Sequence, residues 1–95
     1  MRDLSIMVTG MEHVLRKTLL DTATLFATAK GCALSTIGRR CKNDSAFFVR
    51  LHDTSQTFTM RTFDEVMGWL FANWPEGSDK PFDLVRWDNE RKTAA

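Results

Sequence analysis

Ninety-five residues, 43% hydrophobic and 26% charged, make one small globular domain with a modest core. Five Gly and two Pro exclude a collagen-like or disordered chain, and no apolar run approaches the ~18 residues of a membrane helix. The opening MRDLSIMVTG lacks the apolar core of a secretory signal, so a cytoplasmic location is expected. Cys32 and Cys41 have neither zinc-site nor CxxC spacing, and His13 and His52 stand alone. The cysteines are expected as buried or half-buried thiols, and no metal or cofactor is expected.

Residues 1–10 form a short mixed extension, interrupted at Gly10. From Met11 the apolar positions recur at helical spacing through Val14/Leu15, Leu19 and Leu25/Phe26. One long helix over about residues 11–29 is preferred to a break in which Asp21 caps a second helix near Thr22. Gly31 tolerates the left-handed backbone of a helix end. A second helix covers residues 34–42, and Asn43, Asp44 and Ser45 stop it. A third covers residues 46–52 and offers Phe47, Phe48 and Leu51 to the core. Residues 53–58 form a polar loop, with at most a brief extended piece at 57–59. Thr59 caps the next helix, in which Phe63, Val66, Met67, Leu70, Phe71 and Trp74 follow helical periodicity. Residues 75–78 end it. The remaining residues, 78–95, are a tail with Phe82, Leu84, Val85 and Trp87 set among charges. The expected fold is all-α: a compact four- to five-helix bundle over residues 11–77, flanked by the extension and the tail.

The net charge of +1 hides an uneven distribution. Residues 30–52 carry Lys30, Arg39, Arg40, Lys42 and Arg50 against Asp44 alone, whereas residues 53–90 carry eight acidic and three basic groups. A local basic patch neutralises phosphates whatever the total charge. The patch lies where the chain runs helix, glycine, helix. Ala27, Gly31 and Ile37 supply a small residue, a turn glycine and a branched core residue, the three constrained positions of a helix-turn-helix. In that register Leu34, Ser35, Gly38, Arg39 and Lys42 fall on the solvent side of the second helix, which enters the major groove. Leu34, Ser35, Gly38 and Arg39 are the expected base-reading residues, Arg39 as a bidentate donor to guanine. Thr36, Arg40, Lys42, Asn43, Arg50 and Arg61 are the expected phosphate contacts. Two departures stand out. Arg40 occupies an apolar position, and Ala33 stands where Ser or Thr caps the recognition helix.

The stretch CALSTIGRRCKNDSAFFVRL, followed by TMRTFDEVMGWLFANWP, resembles the lambda-repressor-like helix-turn-helix domains. It is most similar to short regulators of alphaproteobacteria and their phages or mobile elements. The similarity covers about half the chain. It implies a transcription regulator that binds double-stranded DNA. On the resemblance, Leu34, Ser35 and Arg39 match the family's base-reading positions, and Asn43 the asparagine that closes the recognition helix.

The alternative is a small helical interaction module, an antiactivator or adaptor, that takes a protein partner on the same scaffold. An enzyme is not expected, because no nucleophile–base set or phosphate-binding loop is suggested by spacing. Asp64 and Glu65 are adjacent and so point apart on a helix. One recognition helix reads few base pairs, so a homodimer is expected, with Phe82, Val85 and Trp87 as its surplus apolar groups.

Overall fold

A computed structural model describes residues 2–53 and 57–94, with side chains for 11–53 and 57–93. Residues 54–56 of the expected polar loop lie outside the described residues. The described chain is all-helical: α1 (Arg2–Lys30), α2 (Leu34–Lys42), α3 (Phe47–Leu51), α4 (Met60–Asn73) and α5 (Phe82–Ala94). No described residue is in a strand, including residues 57–59. No described helix is long and apolar enough to cross a membrane.

α1 is the hub and touches each of the other four helices. Its inward line is Leu15, Leu19, Ala23 and Phe26, spaced so that one stripe faces the core. Asp21 does not start a second helix. It lies exposed and pairs with Lys17 at 2.8 Å. Thr22 and Thr24 fit within the helix because their hydroxyls donate to the carbonyls of Thr18 and Leu20, both at 2.7 Å. The helix also runs through Gly10, so residues 2–10 are a continuation and not a separate extension. One glycine costs roughly 1 kcal/mol of helix propensity, too little to stop a helix already propagating. Gly31 ends α1 at φ 71°, with its own N–H and that of Cys32 donating to the Ala27 carbonyl.

The core fills the space between α1, α2, α3 and α4. Phe26 stands at its centre, 5.3 Å from the ring of Trp69 and 5.4 Å from that of Trp74. Ile37, Phe48, Phe63, Val66, Met67 and Leu70 close around it. Thr59 caps α4, its hydroxyl oxygen accepting the Thr62 N–H at 3.1 Å. At the far end Trp74 turns extended ahead of Pro75.

The tail is a helix. The Pro81 carbonyl accepts the Leu84 and Val85 N–H groups and opens α5. Leu84 is fully buried, and the Trp87 indole N–H donates to Asp64 on α4 at 2.9 Å. Asp88 is buried and holds Arg91 and Lys92 at 3.1 and 3.0 Å. Acidic Asp83 in the first turn and basic Arg91 and Lys92 in the last suit the helix dipole. α5 therefore depends on charge pairs at i, i+3 and i, i+4 and on two inward anchors, not on a continuous apolar stripe.

The shortest helix has the most dependent position. A five-residue helix is not stable alone. α3 ends against Arg16 of α1, whose buried guanidinium donates to the Leu51 carbonyl at 2.6 Å and to Glu12 at 3.0 Å. The cation also meets the negative end of α3. Arg16→Met keeps the stem and removes the guanidinium. It is expected to cost roughly 1.5–3 kcal/mol, the worth of a charged hydrogen bond, read as a lower urea midpoint with unchanged slope.

Among the described residues, three carboxyls have lowered pKa values: Asp88 beside Lys92 and Arg91, Asp44 beside Arg50, and Glu65 beside Lys42. A depressed folded pKa adds stability that is complete above the ordinary carboxylate value near ~4 and disappears as pH falls through it toward the lowered value. Urea midpoints are thus expected to fall steeply only below about pH 4. Asp88→Asn should lower the midpoint at neutral pH and flatten that acid limb.

Candidate nucleic-acid interface

The basic segment forms α2, a turn at residues 43–46, and α3. α2 begins without a side-chain cap, because Ala33 has none to offer. Its carbonyl still accepts from Thr36 and Ile37. Asn43 closes α2 in the left-handed region at φ 56°, a conformation that asparagine tolerates better than most residues. The Gly38 carbonyl then accepts two turn N–H groups, those of Asn43 and Asp44. Asp44 starts α3. Its carboxylate accepts the Ala46 N–H at 3.0 Å, its carbonyl accepts the Phe47 N–H at 3.1 Å, and its carboxylate pairs with Arg50.

The two helices cross at Gly38. A Cβ there would sit 2.6 Å from the Asp44 carbonyl oxygen and 3.4 Å from the Phe47 Cβ. Glycine is required by close approach, not by its φ. Gly38 is buried, so the expectation that it meets bases from the solvent side is corrected. Leu34 is half-buried and packs against the core, so only part of its side chain lies on the solvent side where it is expected.

The other expected contacts divide in two. Ser35, Arg39, Arg40 and Asn43 are exposed, and Thr36 is half-exposed beside them. These five residues form one arc of α2, opposite Leu34, Ile37, Gly38 and Cys41. Neither Arg39 nor Arg40 has an ion-pair or hydrogen-bond partner among the described residues. Arg40 is exposed and lines a shallow recess with Lys30, Cys32, Thr36 and Trp69 that reaches the core residues Phe26 and Ile37. Lys42 and Arg50 are engaged instead, Lys42 with Glu65 at 2.6 Å and Arg50 with Asp44. Arg61 is exposed at the start of α4.

On and beside α3, Arg50 is the one residue among the expected contacts. There Ser45, Val49 and His52 are exposed, Val49 by 71%. The signal in the sequence is a mid-helix glycine, Gly38, followed by Asn43 and Asp44 ahead of two phenylalanines. Of the expected dimer residues, Phe82 and Val85 are exposed. Trp87 is spent within the chain, on Asp64, the Phe71 ring and Arg91. Cys32 and Cys41 are free and half-buried, and burial pushes the Cys41 thiol up to about 11.

Gly38→Ala should destabilise the fold by about 1–3 kcal/mol, because the added methyl displaces a carbonyl that itself holds the α3 start. The ~1 kcal/mol gained in helix propensity does not cancel this. Thermal unfolding of the variant measures the balance, and a raised midpoint would refute the crossing as a constraint. Comparison of the chain with known proteins gives no match to a family model, a curated protein or a solved structure.

Proposed function

We propose that the protein is a sequence-specific regulator that binds double-stranded DNA through α2, α3 and the turn between them. The observation that carries this reading is the solvent arc of α2. Two adjacent arginines there have no anionic partner among the described residues, while Lys42 and Arg50 nearby are neutralised in cis. Ser35, Thr36 and Asn43 add uncharged donors to the same arc, and no carboxylate lies on it. A phosphate backbone is the ligand that such a face suits.

In this reading α2–turn–α3 is the helix-turn-helix, with Gly38 as the small crossing residue, Asn43 as the left-handed turn residue and Phe48 as the inward anchor. Ser45 and Val49 face the major groove, and Arg39 moves from the expected base-reading set to the phosphate flank, where Arg40 was already expected. Lys42 and Arg50 join them at small cost, since exposed ion pairs are worth about 0–1 kcal/mol.

DNA selected by the purified protein supplies the operator. Arg39→Ala and Arg40→Ala should each weaken binding to operator and random duplex alike, and each should reduce the salt slope by about one. Val49→Asp should change or abolish the selected sequence and leave the fold intact. If Arg39→Ala instead relaxes specificity while Val49→Asp does not, base reading returns to α2. Absence of any duplex binding at low salt would discard the DNA reading and leave the helical interaction module.

A further inference from the structure

The shallow recess beside Arg40 has a volume of about 320 Å³ and is built by the end of α1, by α2 and by α4. Its floor reaches Phe26 and Ile37, which are 2% and 1% exposed, and Trp69 of α4 forms a wall. The Trp69 ring packs against Phe26 at 5.3 Å but is only half-buried, so part of it stays open. Exposed Lys30, in the last turn of α1, and exposed Arg40 on α2 stand at the rim, with the Thr36 side chain between helix and rim. The Gly31 and Cys32 N–H groups close α1 on the Ala27 carbonyl, which holds Lys30 beside the start of α2. Neither cation has an ion-pair partner among the described residues, and no described carboxylate lines the recess.

We propose that this recess binds a small aromatic carboxylate, the anion held by Lys30 and Arg40 and the ring seated against Trp69. The rim fixes the charge of the ligand. An anion there offsets two cations that share one opening, and Arg40 presents the planar fork that a carboxylate matches. The Thr36 hydroxyl adds an uncharged donor. The floor fixes the rest. A bare inorganic anion meets the rim alone and leaves the apolar floor in water, whereas a flat ring covers the floor and packs on the open part of the indole. A volume at the small end of ligand pockets suits one or two rings. The site itself does not rest on the DNA reading. One consequence does: Arg40 also belongs to the DNA-facing arc, so a carboxylate held there competes with a phosphate of the duplex.

Calorimetric titration of the full chain, without DNA, tests the site with naphthoate, its neutral isostere naphthamide and inorganic phosphate at constant ionic strength. Naphthoate should bind with a dissociation constant on the order of 0.1–1 mM. Naphthamide and phosphate should each bind at least about tenfold more weakly, since each lacks one half of the contacts. Lys30→Gln and Arg40→Gln should each weaken naphthoate by about tenfold, the worth of one charged hydrogen bond. Lys80→Gln, which removes an exposed cation away from the recess, should leave it within about twofold. Nuclear Overhauser contacts should join the naphthyl protons to the Trp69 indole. No saturable naphthoate binding, phosphate binding as tight as naphthoate, indifference to Lys30→Gln and Arg40→Gln, or contacts to other residues and not to Trp69 would each overturn the proposal. Naphthoate should also weaken operator binding where naphthamide does not. Naphthoate binding with operator affinity unchanged would overturn the competition alone, and a chain that binds naphthoate but no duplex would overturn the DNA reading and leave the site standing.

Discussion

The approach of Gly38 to the Asp44 carbonyl is the constraint on which the functional half of the molecule depends. A separation that would leave a Cβ 2.6 Å from that oxygen allows only glycine. Because α2 and α3 come this close, the chain can reverse within residues 43–46 and leave α3 packed on α2. The contact works in both directions. The Gly38 carbonyl takes the N–H groups of the turn, and the turn's own carbonyl opens α3. Asp44 adds the carboxylate that takes the Ala46 N–H just ahead of α3 and holds Arg50. One residue thus organises the turn, the helix start and the nearest cation.

α1 supplies what this local device lacks. α3 has too few residues to propagate, and while the Val49 and Arg50 carbonyls take the His52 and Asp53 N–H groups, the Leu51 carbonyl draws its partner from another helix. Arg16 reaches it from 35 positions earlier in the chain and satisfies Leu51 from a buried site. Its charge is balanced by Glu12 one turn away and its guanidinium lies 5.4 Å from the Phe58 ring centroid. Two turns further along α1, Ala23 and Phe26 carry the aromatic cluster that seats α4. Met11 and Val14, on another side of the same helix, are each 58% exposed and line a recess shared with Met60, Met67 and Trp87.

Sequence periodicity located α2, α3 and α4 closely, because their inward residues are apolar at helical spacing and their ends carry glycine, asparagine, threonine or proline. α5 was missed for the opposite reason. Its inward positions are Leu84, Trp87 and a carboxylate, Asp88, so no apolar stripe marks it. The arrangement that does mark it, charges three and four apart after a proline, is weaker evidence than hydrophobicity. Gly10 misled in the other direction, since a lone glycine punctuates turns more often than it sits inside a helix. The site was legible as a basic segment but not as a geometry. Arg39 and Ser35 were placed on the outside correctly, whereas Arg40, exposed in the structure, was assigned an apolar position. Gly38 was also misplaced, because sequence does not say whether a glycine mid-helix admits a ligand or a neighbouring backbone. The pairings of Lys42 with Glu65 and Arg50 with Asp44 also escaped it. The first joins residues 23 apart, and the second spans a turn whose shape the sequence leaves open.

The way α3 is held has a consequence for how such a protein changes over generations. Its anchors are backbone carbonyls, the capping Asp44 and the inward rings of Phe47 and Phe48. Ser45, Val49 and His52 take no part in them and face outward. Stability and surface chemistry are thus assigned to different atoms of one short helix. Exchange at these three positions alters what α3 presents and leaves its attachment untouched. The outer face of α3 is an interchangeable surface on a fixed mount.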